Sequence, residues 1–184
     1  MATDTGRFPL VGEPVSIDLV NTVYAVRGRP TDGLTGSNLL RDWLRQRGFR
    51  VDDVMQRDLD AAWLLRDAIR HIAEAAVQGG VPDADPVAEL NRCASACPRW
   101  YELVEEPTPH ALERSGGRPV EAALSAVATD AVVLFGGPMR HQLRACGGPG
   151  CILFFIGDGR REWCTAGCGN RARAARHYAK SKQT

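Results

Sequence analysis

The chain lacks any long hydrophobic run. Its longest uninterrupted apolar stretches, residues 131–135 and 152–156, fall far short of the ~20 residues a spanning helix needs, so no membrane anchor is expected. Residues 1–9 lack the positive head and apolar core of a secretory signal, and the expectation is a cytoplasmic protein. Net charge is also nearly absent: 23 Lys+Arg against 22 Asp+Glu leave +1, which on its face argues against a nucleic-acid partner. Lysine is almost missing, with two residues against 21 arginines, a ratio that decides nothing alone. No nucleophile elbow, phosphate-cradling glycine loop or paired-carboxylate motif occurs. His71, His110, His141 and His177 share no ligand spacing. An enzyme is therefore the last reading. There is no internal repeat and no low-complexity tract.

What is present is unevenly placed. Residues 1–136 hold 14 basic and 20 acidic side chains, whereas 137–184 hold nine basic and two acidic. The near-neutral total thus joins an acidic body of −6 to a basic tail of +7.

Six cysteines stand at 93, 97, 146, 151, 164 and 168. The last four form two short-spaced pairs, Cys146 with Cys151 and Cys164 with Cys168, separated by twelve residues. Each pair can wrap one edge of a tetrahedral zinc ion, and Gly147, Gly148, Pro149 and Gly150 suit the tight loop that wrapping needs. Two disulfides or four free thiols are the alternatives. Four sulfur ligands leave no open position for water, so one structural Zn2+ is expected. Binding four thiolates and a divalent cation would take the tail from +7 to +5 and the whole chain from +1 to −1. Cys93 and Cys97, four apart in a predicted helix ended by Pro98, read as small buried apolar residues, with a redox pair as the alternative.

Between the cysteine pairs, the β-prone stretch 152–156, a turn at 157–159 and a return arm at 160–163 predict a β-hairpin. An Ala/Arg-rich helix should follow, its first turn carrying Cys168. Knuckle, hairpin and helix make a treble-clef-like finger. At ~100° per residue, Arg173, Arg176, His177 and Lys180 share one face of that helix. Ala172, Ala174, Ala175, Tyr178 and Ala179 fill the other. Arg171 falls in the apolar arc, placed to brace the zinc module, and is counted with the other four as a candidate nucleic-acid contact. A narrow basic helix of this kind suits the DNA backbone or major groove; the alternative is a solvated helix that only confers solubility.

The segment from Trp163 and Cys164 through Cys168, Gly169, Asn170 and Arg171 to Arg173, Arg176 and His177 resembles the CGNR-type zinc finger. Upstream, Ser16 to Thr22 with Asp18 and Asn21, Leu39 to Leu44, Leu65 to Arg70, and Leu90 with Asn91 resemble the ABATE domain, which carries the description of a stress-induced transcription regulator. The chain differs from the family pattern in a shorter insert and one residue fewer between the last two cysteines. The resemblance implies a helical N-terminal domain, residues 1–137, and a four-cysteine finger, residues 138–184, in a DNA-binding regulator.

The body reads as mainly α with a few short strands. Ser37 is a candidate cap for a helix to Arg47 with Leu39, Leu40, Trp43 and Leu44 as its buried stripe. A long helix over 54–78 follows, then one from Asp85 to Cys97, a strand over 99–105, a loop or hairpin tip over 106–118, and a helix over 119–135 opened by Pro119. Asp18 and Asn21 sit in apolar surroundings, either as a buried structural pair or as anchors for a small-molecule ligand. The functional expectation is a zinc-binding transcription regulator whose acidic domain senses something or forms a homo-oligomer while the finger docks on DNA. Two other classes compete: a protein-interaction module whose finger binds an acidic surface, including its own body, and a thiol-based redox switch.

Overall fold

The computed structural model describes residues 12–157 and 159–182. The predicted signal-free start at 1–9, and Asp158 of the predicted turn, lie outside the described residues.

The spine is a 22-residue helix, Gln56–Val77, here α3 after α1 (Val15–Val20) and α2 (Ser37–Gln46). Leu59, Ala62, Leu65, Ile69, Ile72 and Ala73 recur at helical spacing and are buried. Asp58 closes its start by accepting the Met55 N–H at 2.8 Å. Gly79, at φ +71°, ends it: the Gly79 N–H bonds to the Ala76 carbonyl and the Gly80 N–H to the Ala75 carbonyl. That paired closure needs a left-handed residue, which glycine supplies without steric cost.

Helix α5 (Pro119–Gly136) lies beside α3, with α4 (Ala84–Ser95) and the short α1 completing the packing. By length and composition α5 could cross a membrane. Here Val120, Leu124, Val127, Ala131 and Leu134 are buried in the core. Four polar ties hold the layers. Arg118 grips Asp58 with two hydrogen bonds of 2.7 and 2.8 Å. Arg66 grips Asp32 with two of 2.7 Å and also donates to Thr22. Ser16 donates to Asp130 through its hydroxyl and its backbone N–H. Arg47 pairs with the buried Asp18.

Among the described residues, three antiparallel hairpins decorate the helices. Strands β1 (Val23–Val26) and β2 (Arg29–Asp32) pair with Val23 opposite Asp32; Arg27 and Gly28 both take positive φ in the two-residue turn, matching the twist of the strands. Strands β3 (Arg99–Val104) and β4 (His110–Ser115) form an outlying ribbon, and β5 (Leu143–Ala145) pairs with β6 (Phe154–Ile156). A 3₁₀ turn, Pro138–Gln142, links α5 to β5.

Four local expectations are corrected. Gly36, extended, precedes α2 and accepts its first amide from Leu40, so Ser37 is the first helical residue and not the cap. Cys97 lies beyond the end of α4, because the ring of Pro98 disfavours helical geometry in the residue before it; its thiol donates instead to the Gly116 carbonyl. Cys93 and Cys97 are both buried, but not as a helical pair. Residues 110–115, expected in a loop or hairpin tip, are strand β4, the second arm of a hairpin, which zips onto β3 from Arg99 opposite Ser115 to Val104 opposite His110. The finger's hairpin uses a different arm from the one expected. β6 pairs with β5 upstream of Cys146, so the hairpin embraces the first cysteine knuckle; residues 160–163 form no strand. Residues 173–182 are all exposed, the alanines from Ala174 onward included.

Candidate metal centre

The finger begins where β5 and β6 bring residues 146–151 into a knuckle. The Cys146 N–H bonds to the Leu153 carbonyl and the Cys151 N–H to the Gly148 carbonyl, both at 2.9 Å. Alternation along β6 then serves two cores at once. Phe154 points into the helical body, while Phe155 joins Leu153, Cys146, Cys164 and Cys168 in a second cluster flanked by Trp163 and Tyr24. A stretch apolar on both faces is what a strand between two cores requires.

The four Sγ atoms of Cys146, Cys151, Cys164 and Cys168 lie within 4.8 Å of one another. Cys164 stands 3.7 Å from Cys151 and 3.3 Å from Cys168. A tetrahedron with ~2.3 Å metal–sulfur bonds has edges of ~3.8 Å, so the set fits one zinc ion. Three of the cysteines are buried and Cys151 is half-buried. The crowded thiols differ in acidity: that of Cys151 is lowered to about 5, chiefly by its hydrogen bond with Cys164. Cys164 is pushed up by that same bond and by burial, and Cys146 is raised by burial.

Helix α6 (Ala166–Ser181) opens with Thr165, whose hydroxyl accepts the Cys168 N–H at 3.3 Å. Cys168 therefore sits in the first turn, as expected. The residues after it each have a local task. A Cβ on Gly169 would lie 3.0 Å from the Trp163 ring, so only glycine seats that indole without a shift. Asn170 accepts from Arg173. Arg171 donates to Cys168 Sγ at 2.8 Å, a charge-assisted contact onto a sulfur of the cluster itself. In the knuckle, a Cβ on Gly148 would meet Cys168 Cβ at 3.0 Å.

Two further residues anchor the finger, and composition gave no hint of them. Arg161 pairs with Glu13 at 2.6 Å, lies 4.9 Å over the Phe155 ring and donates to the Trp163 and Cys164 carbonyls. The buried Glu13 also accepts the Ile156 N–H at 2.8 Å. Asn21, one of the two candidate ligand anchors, spends its amide on the finger: it donates to the Phe154 carbonyl and accepts the Phe154 N–H, both at 2.9 Å. Asp18, the other, is occupied by Arg47. Gly150, at φ +69°, comes so close to the β1–β2 turn that a Cβ would lie 3.2 Å from Gly28 Cα.

Beyond Ala172, α6 runs out along the surface. Arg173, Arg176, His177 and Lys180 are exposed, as are Ala174, Ala175 and Ala179, and Tyr178 at 69%.

A helical body of four main helices carrying a four-sulfur zinc module defines the class: a zinc-finger protein with a large helical domain. The family model described as "Putative stress-induced transcription regulator", ABATE, matches residues 13–138, and the CGNR zinc finger matches residues 142–181. The chain belongs to the ABATE family and carries a CGNR zinc finger that binds zinc. No curated protein matches the chain.

Proposed function

We propose that the protein is a cytoplasmic, DNA-binding transcription regulator, with a helical body over residues 1–137 and a finger over 138–184. Cys146, Cys151, Cys164 and Cys168 are the ligands of one structural zinc, and Arg173, Arg176, His177 and Lys180 form the DNA-facing stripe. Arg171 supports the stripe from below by holding Cys168. The observation that carries this reading is the exposure of every residue of α6 from 173 to 181, in a tail whose residues 137–184 hold nine basic and two acidic side chains. Phosphate contacts from such a helix supply affinity and orientation, while base-edge contacts supply specificity. Four sulfurs fill the coordination sphere and leave no position for substrate, so the reading assigns no catalysis.

The rival reading, a finger folded onto its own acidic body, is favoured by the pair between Arg161 and Glu13, a contact that lies before α6. The test is fluorescence anisotropy on duplex DNA across a salt series. If Arg173, Arg176 and Lys180 each neutralise one phosphate, replacing all three with alanine flattens the log–log salt slope by roughly 0.9 per contact. Unchanged affinity and slope in that variant would overturn the assignment.

A further inference from the structure

Where α3 and α5 end and the 3₁₀ turn begins, the body has a cleft of about 400 Å³, within the ~300–1,000 Å³ typical of small-molecule sites. Ile72 and Ala76 of α3 and Phe135 of α5 form its apolar floor, and Val81 and Pro82 its rim. Ile72 is buried, whereas Val81 is 91% exposed, leaving its whole side chain beside the opening. Arg140 and His141 of the 3₁₀ turn complete the lining, and no carboxylate is among the described residues that line the cleft. Arg140 Nε faces His141 Nε2 at 3.3 Å, and no ion pair to Arg140 occurs among the described residues. Arg66, Arg118 and Arg47 are held by Asp32, Asp58 and Asp18, whereas the exposed Arg140 is open to a ligand.

An apolar floor under two basic side chains, with no acid nearby, complements a molecule that is apolar at one end and anionic at the other. We propose that this cleft binds a small carboxylate with an aromatic or alkyl body. The carboxylate meets the planar fork of Arg140, whose geometry suits two parallel hydrogen bonds, and His141 offers a further donor. The body of the ligand covers Ile72, Ala76, Phe135 and Val81, removing apolar surface from water. The site does not depend on the DNA reading, but its position bears on the finger. The turn that carries both basic residues runs directly into β5, and the Gln142 carbonyl accepts the Gly157 N–H at 2.8 Å. A ligand held here fixes the segment that joins body to finger.

The experiment titrates the full-length, zinc-loaded protein with 2-naphthoate and, separately, with its neutral isostere 2-naphthamide and with inorganic phosphate, followed by amide chemical shifts and calorimetry. The expected result is saturable shifts confined to residues 72–82 and 135–142 with naphthoate, and binding about tenfold or more weaker for the amide and for phosphate. Arg140→Gln, an exposed position whose change should leave the melting temperature unaltered, weakens naphthoate by about tenfold, a factor worth about 1.4 kcal/mol. Lack of saturation overturns the proposal. So does equal binding of naphthoate and naphthamide, phosphate binding as tight as naphthoate, or undiminished binding by the Arg140→Gln protein.

Discussion

The body and the finger of this chain are held together by different means. The body buries a continuous cluster of some two dozen apolar residues from five helices and two strands, cross-braced by ion pairs that are largely buried. The finger's own cluster has five buried residues, and three of them are cysteines. A core that small cannot offset the entropy of ordering its loops, so the metal must supply what packing does not. The two are nevertheless joined by specific groups: Asn21 on Phe154, Glu13 on Arg161 and Ile156, and Leu143 and Phe154 in the body's core. A metal-dependent unit is thus docked on a metal-independent one.

That contrast can be broken from either side. The largest effect is expected from Cys164→Ser, which removes a buried ligand between Cys151 and Cys168. Elemental analysis should find the zinc content falling from one equivalent to none, with the helicity of α6 lost by circular dichroism and that of the body retained. Asn21→Ala strips partners from both backbone groups of Phe154, each buried group costing about 1–3 kcal/mol when left unpaired. Chemical denaturation should show the body and finger losing their common transition. Arg171→Gln leaves the four sulfurs in place but removes the cation from Cys168, and competition with a chromophoric chelator should report zinc affinity down by about tenfold or more. The smallest effect concerns acid stability. Hydrogen bonding from Arg118 holds the Asp58 carboxyl below its ordinary value, so its stabilisation is complete above the unfolded carboxylate pKa of ~3.9 and is lost as pH falls through the folded value. Melting curves of Asp58→Asn should lie below the parent at neutral pH, with the gap narrowing below about pH 4.

The same contrast decided how much was legible in the sequence. Ligand chemistry reads directly: the spacing of Cys146, Cys151, Cys164 and Cys168 marked a four-sulfur cluster, and the structure brings those sulfurs together. Helical periodicity likewise placed α3 and α5 to within a residue or two. What failed were features set by a distant partner. Residues 143–145 carry no strand signal by themselves and become β5 only because Phe154 to Ile156 lie opposite. Strand β4 shows no apolar alternation, since it is exposed along its length. The β1–β2 hairpin went unseen because its turn is Arg27 and Gly28 and not the more familiar Asn-Gly pair. The wheel of α6 identified which residues share a face but could not say whether anything covers it. Asn21 was recognised as a buried polar group, and its partner, a backbone strand 133 positions away, was not deducible.

The central claim is that zinc holds the finger while the body stands without it. Amide hydrogen exchange on the full chain, before and after chelation, tests this most directly. Protection should be lost across residues 146–181 and kept in α1, α3, α4 and α5. Protection of α6 surviving removal of the metal, or the body's protection collapsing with it, would contradict the claim.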